Sequence, residues 1–300
     1  MSTVAEGLRC AGCGDTARRL FAVGDLNRST TTTEFTYYRC GRCGLVFLYP
    51  VPADLGRHYP SDYYIRPESL GRLSNIASKQ RYEIDLVKRF RSSGSLLEVG
   101  PAYGAFAYLA REAGFDVSVI EMDADCCRFL AEEVKVNVVE SSDPAAALER
   151  MESKDVIVLW QVIEHLPDPW AFLDAACRRL APGGILLVAA PNPDSLQFRL
   201  FGSRWVHLDA PRHLQLIPIP LLTAHLAERG LRRELTTSTD RGGILWDLFG
   251  WRRSAGNLAQ GRLQRRMLTL LGTAASPILL LGDIALGGAT YTAVFRKESA

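Results

Sequence analysis

Glycines and carboxylates around residue 100 have the spacing expected of a nucleoside site. The segment Ser95-Leu-Leu-Glu-Val-Gly-Pro-Ala-Tyr-Gly-Ala-Phe106 has the pattern of a short buried strand, a glycine turn and the start of a helix. Gly100 and Gly104 let the backbone approach a ligand with no Cβ in the way. The next apolar run, residues 117–120, ends in Glu121, where a carboxylate can bind both hydroxyls of a ribose. These residues predict a nucleoside-bearing cofactor over the carboxyl edge of a sheet.

The spacing of the glycines distinguishes two classes of cofactor enzyme. A dinucleotide site has the pattern G-x-G-x-x-G, with a helix N-terminus free for the pyrophosphate. Here Gly100 and Gly104 flank Pro101, Ala102 and Tyr103, so no pyrophosphate cradle is predicted and a nicotinamide-dependent oxidoreductase is disfavoured. The run resembles motif I of the class I S-adenosylmethionine (SAM) methyltransferases, E/D-x-G-x-G-x-G, and departs from it at Ala102 and Pro101.

A second and more specific motif lies farther along the chain. Residues 156–160 are a continuous apolar run, as expected of a strand covered on both faces. The turn Glu-His-Leu-Pro-Asp-Pro follows at 164–169, and its Asp-Pro end predicts the start of a helix. Together with Leu-Ala-Pro-Gly-Gly at 180–184, this turn resembles the branch of class I methyltransferases that includes the ubiquinone-pathway O-methyltransferases. The resemblance covers residues 95–235 well.

Alternating apolar and polar patterns predict an α/β fold. The expected architecture is a Rossmann-like, doubly wound and mostly parallel sheet. By resemblance to the family, residues 290–295 form a terminal strand that runs antiparallel to the others. The other predicted strands are 95–99, 117–121, 136–139, 156–160 and 185–190, and the predicted helices are 103–113, 123–134, 144–152, 169–180 and 218–229.

The resemblance implies SAM as the cofactor and assigns roles around the sheet edge. The glycine turn would line the methionine moiety, and Glu98 would reach its amino group through a water. Glu121 would bind the ribose, while Met122 would pack on the adenine or else belong to the core. Gln161 would face the methionine end. The implied cofactor-binding residues are Glu98, Gly100, Ala102, Gly104, Glu121, Met122 and Gln161.

Three histidines are candidates for the base that removes a proton from the acceptor, since histidine exchanges protons near neutral pH. His165 lies in the Glu-His-Leu turn, and orienting that turn by a hydrogen bond is an equally good interpretation of it. His207 and His213 lie in the segment 205–214, which follows the fifth predicted strand and is rich in polar groups. Such a loop belongs over the carboxyl ends of the strands, so we favour His207 or His213 as the base.

Two Cys-x-x-Cys pairs near the N-terminus predict a separate metal site. Cys10 and Cys13 are separated from Cys40 and Cys43 by 26 residues, and a glycine follows each pair. Four thiolates at this spacing complete a zinc tetrahedron, so we expect a zinc ribbon that needs the metal to fold. Acidic residues interrupt its arginines, which disfavours a nucleic-acid partner. The ribbon is expected to be structural or to form a wall of the acceptor pocket.

Composition indicates one α/β domain with a small additional module. The 300 residues carry a net charge of +2, which gives no general attraction for anionic partners. The seven cysteines fit a reducing cytoplasm, and no apolar signal segment follows Met1. The predicted organisation is a zinc ribbon at 1–49, a linker at 50–92 and a methyltransferase domain at 93–300. In the linker, residues 73–90 read as one amphipathic helix that covers the cofactor or only packs on the domain.

The methyltransferase domain carries an insertion, predicted at 251–289. Residues 251–266 contain five arginines and no acid, and residues 267–282 contain no charge. A glycine and a proline interrupt this short apolar run, which disfavours a membrane span. We expect a helical hairpin packed on the domain. The alternative is peripheral membrane contact through residues 251–282, with the arginines facing anionic lipid.

The leading hypothesis is a SAM-dependent methyltransferase that acts on a small molecule. Its acceptor would be an oxygen of a sugar, a quinone or another secondary-metabolite scaffold. Much of the rate of such an enzyme comes from holding the acceptor in line with the activated methyl group. The departures from motif I at Pro101 and Ala102 leave a second hypothesis open, in which a non-catalytic protein recruits partners through the zinc ribbon and keeps a degenerate cofactor fold.

Overall fold

The computed structural model describes residues 7–60 and 63–299, which form two sheets with helices around the larger one. The strands are β1 (Ala17–Val23), β2 (Phe35–Cys40), β3 (Val46–Leu48), β4 (Ser95–Val99), β5 (Asp116–Glu121), β6 (Asn137–Glu140), β7 (Lys154–Trp160), β8 (Leu180–Pro191), β9 (Gln215–Leu216), β10 (Leu231–Thr237) and β11 (Thr290–Lys297). The helices are α1 (Leu70–Ser78), α2 (Arg81–Lys88), α3 (Ala105–Glu112), α4 (Ala124–Phe129), α5 (Pro144–Glu149), α6 (Pro169–Arg179), α7 (Leu196–Phe201), α8 (Ile219–Ala227), α9 (Arg241–Asn257) and α10 (Arg262–Leu286).

The large sheet has the order β10-β11-β8-β7-β4-β5-β6. Strands β4 to β8 pair in parallel, and β11 pairs antiparallel with both β8 and β10. The predicted Rossmann-like sheet with an antiparallel terminal strand is therefore confirmed. The chain leaves β4 toward β5 and β6 and returns to β7 on its other side, so a crevice opens at the carboxyl ends of β4 and β7.

Each face of the large sheet packs against its own set of helices. Leu96 of β4 lies in one core cluster with Phe106 of α3, and its neighbour Leu97 lies in the other with Phe172 of α6. Leu96 and Leu97 are both fully buried, although successive side chains of a strand point to opposite faces. This two-sided burial explains the continuous apolar runs in the sequence.

The strands predicted for this sheet lie within two residues of those observed, except that β8 begins at Leu180 instead of 185. The single helix predicted over 73–90 is wrong, because the chain forms α1 and α2 there. The break lies at Gln80, whose amide donates to the Ala77 carbonyl three residues earlier, at 2.8 Å. No proline or glycine marks this turn, so the apolar periodicity continues through it without a warning.

The small sheet connects the cysteine-bearing segment with the methyltransferase-like fold. Strands β1, β2 and β3 pair antiparallel, and β9 adds a fourth strand beside β3. In this pairing Val46 lies opposite Leu216, and Phe47 lies opposite Gln215. Because β9 directly follows the segment 205–214, the ribbon is joined by backbone hydrogen bonds to the part of the chain that carries two candidate histidines.

The predicted C-terminal helical insertion is confirmed as a hairpin of α9 and α10 between β10 and β11. A Cβ added at Gly272 of α10 would lie 2.8 Å from the Ala255 Cβ and 2.9 Å from the Trp251 carbonyl oxygen. Glycine at this position therefore allows the two helices to pack backbone against backbone.

Candidate active site and zinc centre

The two Cys-x-x-Cys pairs, here called the knuckles, bring their four cysteines together. The Sγ atoms of Cys10 and Cys43 are 3.5 Å apart, as are those of Cys13 and Cys40. All four sulfurs lie within 4.8 Å of one another, and none forms a disulfide. In a tetrahedral site with Zn–S bonds of about 2.3 Å, neighbouring sulfurs are about 3.8 Å apart. The geometry of the four thiols therefore fits a zinc ion.

Glycines close both knuckles. Gly14 and Gly44 have φ of +73° and +76°, and their amides donate to the carbonyls of Cys10 and Cys40 at 2.8 and 3.2 Å. The Cys43 amide also points at the Cys40 sulfur, at 3.5 Å. Although burial opposes ionisation, backbone amide hydrogen bonds lower the pKa of Cys40 to about 7. Burial raises the pKa of Cys10 and Cys43 instead, so of these three sulfurs only that of Cys40 favours the thiolate form that binds a cation.

The turn after β4 is shaped for close approach to a ligand. Gly100 and Gly104 have φ of +64° and +78°, and a Cβ at Gly104 would lie 2.4 Å from the Leu130 Cδ2. Ala102 is also left-handed, with φ of +51°. An alanine in this conformation costs about 1–2 kcal/mol. The residue at which the sequence departs from motif I therefore adopts a left-handed backbone of the kind that glycine favours.

Glu121 ends β5 beside this turn. Its Oε2 accepts from the Ala102 amide at 3.0 Å, and its Oε1 accepts from the amides of Met122 and Asp123 at 2.7 and 3.0 Å. Burial raises the pKa of Glu121 even so. Three amides use three of about four acceptor positions, which leaves about one for a ribose hydroxyl. Met122 is 68% exposed, so it is not a core residue and is free to cover a ligand.

Glu98 and Gln161 flank the crevice from β4 and β7. Glu98 is buried, and within residues 7–60 and 63–299 its Oε2 has no hydrogen-bond partner. Burial, followed by the charge of Glu83, raises the pKa of Glu98 well above its ordinary value. An orphaned oxygen of this kind can be satisfied by a ligand amine through a water. Gln161 has φ of +55°, and its backbone N–H donates to the Ala189 carbonyl at 2.9 Å.

His165, which follows β7, and His213, from the segment before β9, form a pair in which His213 is buried and His165 is half-buried. Their ring centroids are 4.6 Å apart, and the rings are nearly perpendicular. The Nδ1 of His213 lies 2.8 Å from the His207 carbonyl oxygen. A carbonyl only accepts, so Nδ1 carries the proton and Nε2 keeps its lone pair. That Nε2 lies 4.0 Å from both Glu164 Oε1 and Asp209 Oδ2.

Glu164 is the unexpected member of this cluster. It is 1% exposed, and neither of its oxygens has a hydrogen-bond partner in the described part of the chain. Burial raises the pKa of Glu164 to about 8, while burial and the charge of His165 lower the pKa of His213 to about 3. At neutral pH a protonated acid therefore faces a neutral base. Ligand atoms of Glu164, His165 and His213 also lie within 4.8 Å of one another, as in a metal site.

His207 lies apart from this pair. Its ring packs against Trp205 and Trp246, with centroid distances of 5.2 and 5.6 Å, and its Nε2 donates to the Trp246 carbonyl at 3.2 Å. Burial lowers the pKa of His207 to about 4. Since its own carbonyl accepts from His213, this geometry supports a positioning role for His207.

Three tyrosines, here called the tyrosine wall, connect the histidine pair with the cofactor turn. Tyr59 Oη lies 3.0 Å from His165 Nδ1. The Tyr59 and Tyr63 rings are 4.9 Å apart, and so are those of Tyr63 and Tyr64. Burial, followed by the charge of Glu121, raises the pKa of Tyr64. The wall thus extends from His165 toward the Glu121 carboxylate.

Comparison with known proteins identifies the family. Residues 76–235, more than half of the chain, match the family described as a methyltransferase domain. The chain belongs to the methyltransferase-domain family. The methyltransferase also shares its fold with the crystal structure of a SAM-dependent methyltransferase from Archaeoglobus fulgidus. That likeness has a TM-score of 0.50 at 20% identity and covers 75% of this chain and 95% of the other. The resemblance to class I SAM-dependent methyltransferases is confirmed.

Two curated relatives of the methyltransferase carry the name ubiquinone biosynthesis O-methyltransferase. The protein from Hydrogenovibrio crunogenus is 26% identical over 163 residues, which cover 47% of this chain and 65% of the relative. The protein from Paramagnetospirillum magneticum is 34% identical over 101 residues, which cover 33% of this chain and 41% of the relative. The match therefore spans less than two thirds of either relative.

Sequence reasoning missed three residues of this methyltransferase's candidate site. Glu164 directly precedes His165 in the Glu-His-Leu turn, so its position in the motif could have indicated that it belongs to the site. Tyr59 is one of several tyrosines in the linker and had no distinguishing feature. Asp25 contacts Arg212 across 187 residues of sequence, a distance over which no local pattern operates.

Proposed function

We propose that this protein transfers the methyl group of SAM to an oxygen of a small-molecule acceptor. The observation that carries the proposal is the free Nε2 lone pair of His213, which faces Glu164 beside the carboxyl end of β7. Its neutral imidazole, with Nδ1 fixed by a carbonyl, has a lone pair that can accept the proton of a hydroxyl, and ionisation of Glu164 beside it would raise the pKa that burial and His165 lower to about 3.

The residues around the glycine turn would hold the cofactor. SAM supplies a methyl group already activated on a sulfonium sulfur. Glu121 has an acceptor position left for a ribose hydroxyl, and the left-handed turn lets the backbone approach the methionine moiety. Glu98 and Gln161 lie on the side where the methionine amino group would be, and Met122 is free to cover the adenine.

Proton removal would run through His213. The acceptor hydroxyl would give its proton to Nε2 as its oxygen bonds to the methyl carbon, and the bond from that carbon to the sulfonium sulfur would break, which leaves S-adenosylhomocysteine. The imidazolium that results is then stabilised by Asp209, and by Glu164 once that carboxyl is ionised, at 4.0 Å each. His165, held by Tyr59, packs edge to face with this ring.

The tyrosine wall favours a flat aromatic acceptor among the candidates. Aromatic rings pack on one another in edge-to-face or offset geometry, so a quinol or catechol fits this wall better than a sugar does. The ubiquinone-pathway names of the curated relatives support the same choice. Sugars and other secondary-metabolite scaffolds remain in the acceptor panel below.

The direct test is transfer of labelled methyl from SAM to a panel of catechols, hydroquinones and sugar derivatives. We expect a labelled methyl ether from an aromatic hydroxyl. His213→Asn should lower kcat by about 10²- to 10⁴-fold, the usual contribution of a general base. His225→Gln is the matched control, because His225 pairs with Asp174 on α6 and contacts no residue of the site described above. Equal losses in both variants would contradict the assignment.

Calorimetric titration with S-adenosylhomocysteine separates cofactor binding from catalysis. Binding that is weakened in Glu121→Gln would support the cofactor site. Binding without turnover on any acceptor would instead support the non-catalytic recruitment hypothesis. Absence of binding by the folded protein would overturn the proposed function.

The zinc ribbon, the compartment and the domain limits complete the proposal. We assign a structural zinc to Cys10, Cys13, Cys40 and Cys43, supported by their sulfur distances. All seven cysteines are free, which supports a reducing cytoplasm. The domain limits at 49 and 92 stay predictions, since β9 completes the ribbon's sheet from within the methyltransferase region.

A further inference from the structure

An apolar stripe runs along the solvent-facing side of α10. It consists of Leu263, Met267, Leu270, Leu271, Ile278 and Leu281, each of which is more than half exposed. At about 100° per residue these positions occupy an arc of only about 100° on the helix surface. By length and composition, residues 262–285 are apolar enough to cross a membrane, yet only 17% of their most apolar window is buried. Soluble proteins rarely leave such a continuous apolar surface without a partner.

The opposite side of α10 is fixed to the fold. Gly272 packs against the backbone of α9, as described above. Farther along the helix, Asp283 is fully buried and accepts from the Trp251 indole and, at 2.8 Å, from the Gln197 amide. Moving α10 across a bilayer would break these contacts. The helix is therefore held with its apolar stripe outward, in the orientation of a helix that lies on an interface.

The charges next to the stripe are all positive. Between Asp247 and Asp283 the chain has five arginines and no acidic residue. Arg262 and Arg266 are exposed in the first turns of α10, and helical geometry places them along one edge of the stripe. Within residues 7–60 and 63–299, none of the five arginines forms an ion pair.

Two of the five arginines, Arg262 and Arg265, lie in the first turn of α10, where a helix normally disfavours cations. The N-terminus of a helix has a partial positive charge and prefers acidic side chains, but the first turn of α10 has none. Burial, followed by repulsion from Arg265 and Arg252, lowers the pKa of Arg253 on α9. A surface of unpaired like charges is complementary to an anionic partner.

We propose that the stripe of α10, with the arginines beside it, docks this protein on the surface of an anionic lipid bilayer. The apolar side chains enter the acyl boundary and the guanidinium groups contact lipid phosphates. The same hairpin reaches the candidate site, because the Trp246 carbonyl of α9 accepts from His207. Docking would therefore bring that site to the membrane, but membrane binding itself is independent of methyl transfer.

The test is co-sedimentation of the full chain, loaded with zinc, with vesicles of phosphatidylcholine alone or with about one third phosphatidylglycerol. We expect at least tenfold tighter partition into the anionic vesicles and a steep loss of binding in high salt. The variant Leu270→Gln/Ile278→Gln/Leu281→Gln should reduce partition at least tenfold. Leu20→Gln/Val51→Gln, which changes exposed apolar residues of the ribbon region, is the matched control and should bind as the original protein does.

A second variant separates charge from apolar contact. Arg262→Gln/Arg266→Gln should lose the preference for anionic vesicles and much of the salt dependence. Binding of S-adenosylhomocysteine should be unchanged in all variants, which shows that they fold and keeps this test separate from that of the proposed function. Equal partition of the stripe variant and the original protein would overturn the proposal. So would light scattering that shows a dimer converted to a monomer by the stripe variant, with no binding to vesicles.

Discussion

Arg212 and Asp25 form a fully buried, two-point ion pair that connects the ribbon to the segment carrying His213. Arg212 Nη2 lies 2.7 Å from Asp25 Oδ1, and Nη1 lies 3.0 Å from Oδ2. The same guanidinium also donates two hydrogen bonds to the Asp209 carboxylate, at 2.8 and 2.9 Å. Since Asp209 is one of the two carboxylates facing His213, the ribbon helps to position the candidate base. The ribbon is thus part of the site's architecture as well as a metal centre.

Removing the arginine of this network should destabilise the protein strongly. Arg212→Leu leaves Asp25 and Asp209 buried without a cation, which costs about 3–5 kcal/mol. We expect a corresponding loss in the free energy of unfolding, measured with urea. Arg39→Ala is the matched control, because the Arg39–Asp194 pair is more than one third exposed and should contribute less than about 1 kcal/mol. Similar losses in the two variants would contradict the role given to Arg212.

Six of the seven strands of the large sheet could be predicted from sequence, while the edge strand β10 and the contacts that complete the site could not. Buried parallel strands such as β4 and β7 can be recognised from local sequence alone, because each is an apolar run bounded by turns. The pairing of β3 with β9 and the ion pair of Asp25 with Arg212 depend on chain segments far apart in sequence. The histidines of the site were found by residue type, but only the fold separates His207 from the pair of His165 and His213.

Zinc should be required for the ribbon and, through it, for the site. Cys40→Ser removes one of four ligands, so we expect zinc content to fall from about one ion per chain to near zero, as measured by atomic emission. Because Asp25 lies between the two knuckles in sequence, loss of the metal should also lower the unfolding temperature. Cys177→Ala, which changes a buried cysteine outside the cluster, should keep its zinc. Full zinc content in Cys40→Ser would refute the assignment.

The turn after β4 should tolerate no side chain at Gly104. Gly104→Ala adds a Cβ 2.4 Å from Leu130 and strains a left-handed backbone. Gly114→Ala is a close control, since its φ of +90° is also left-handed but no atom lies within 4 Å of the added Cβ. Backbone strain should lower the free energy of unfolding of both variants by about 1–2 kcal/mol. In Gly104→Ala alone, the contact with Leu130 should lower the free energy of unfolding by about a further 1–3 kcal/mol, the usual cost of overpacking. This variant alone should also bind S-adenosylhomocysteine more weakly. Equal binding by the two variants would contradict a role of this turn in the cofactor site.

Ionisation of the Glu164 carboxyl should make kcat for methyl transfer increase as the pH rises through about 8. Its pKa in the folded protein is raised to about 8, so the group is protonated at pH 7 and becomes a carboxylate as the pH rises. Ionisation places a negative charge 4.0 Å from His213 Nε2, where it stabilises the imidazolium formed when the acceptor gives up its proton. We therefore expect kcat to increase through pH 8 in the original protein. In Glu164→Gln that rise should disappear, because the amide does not ionise in this range.

A purely structural role for Glu164 makes a different prediction. In that case Glu164→Gln would change kcat by a constant factor at every pH and would leave the rise near pH 8 in place. Comparing the two pH profiles, with KM for SAM measured in parallel, distinguishes these outcomes. Asp174→Asn serves as the control, since Asp174 pairs with His225 of α8 and with Arg229 just after that helix, and its lowered pKa lies below this range. If kcat of Glu164→Gln still increases through pH 8, another group causes that increase, and Glu164 has no part in the proposed mechanism.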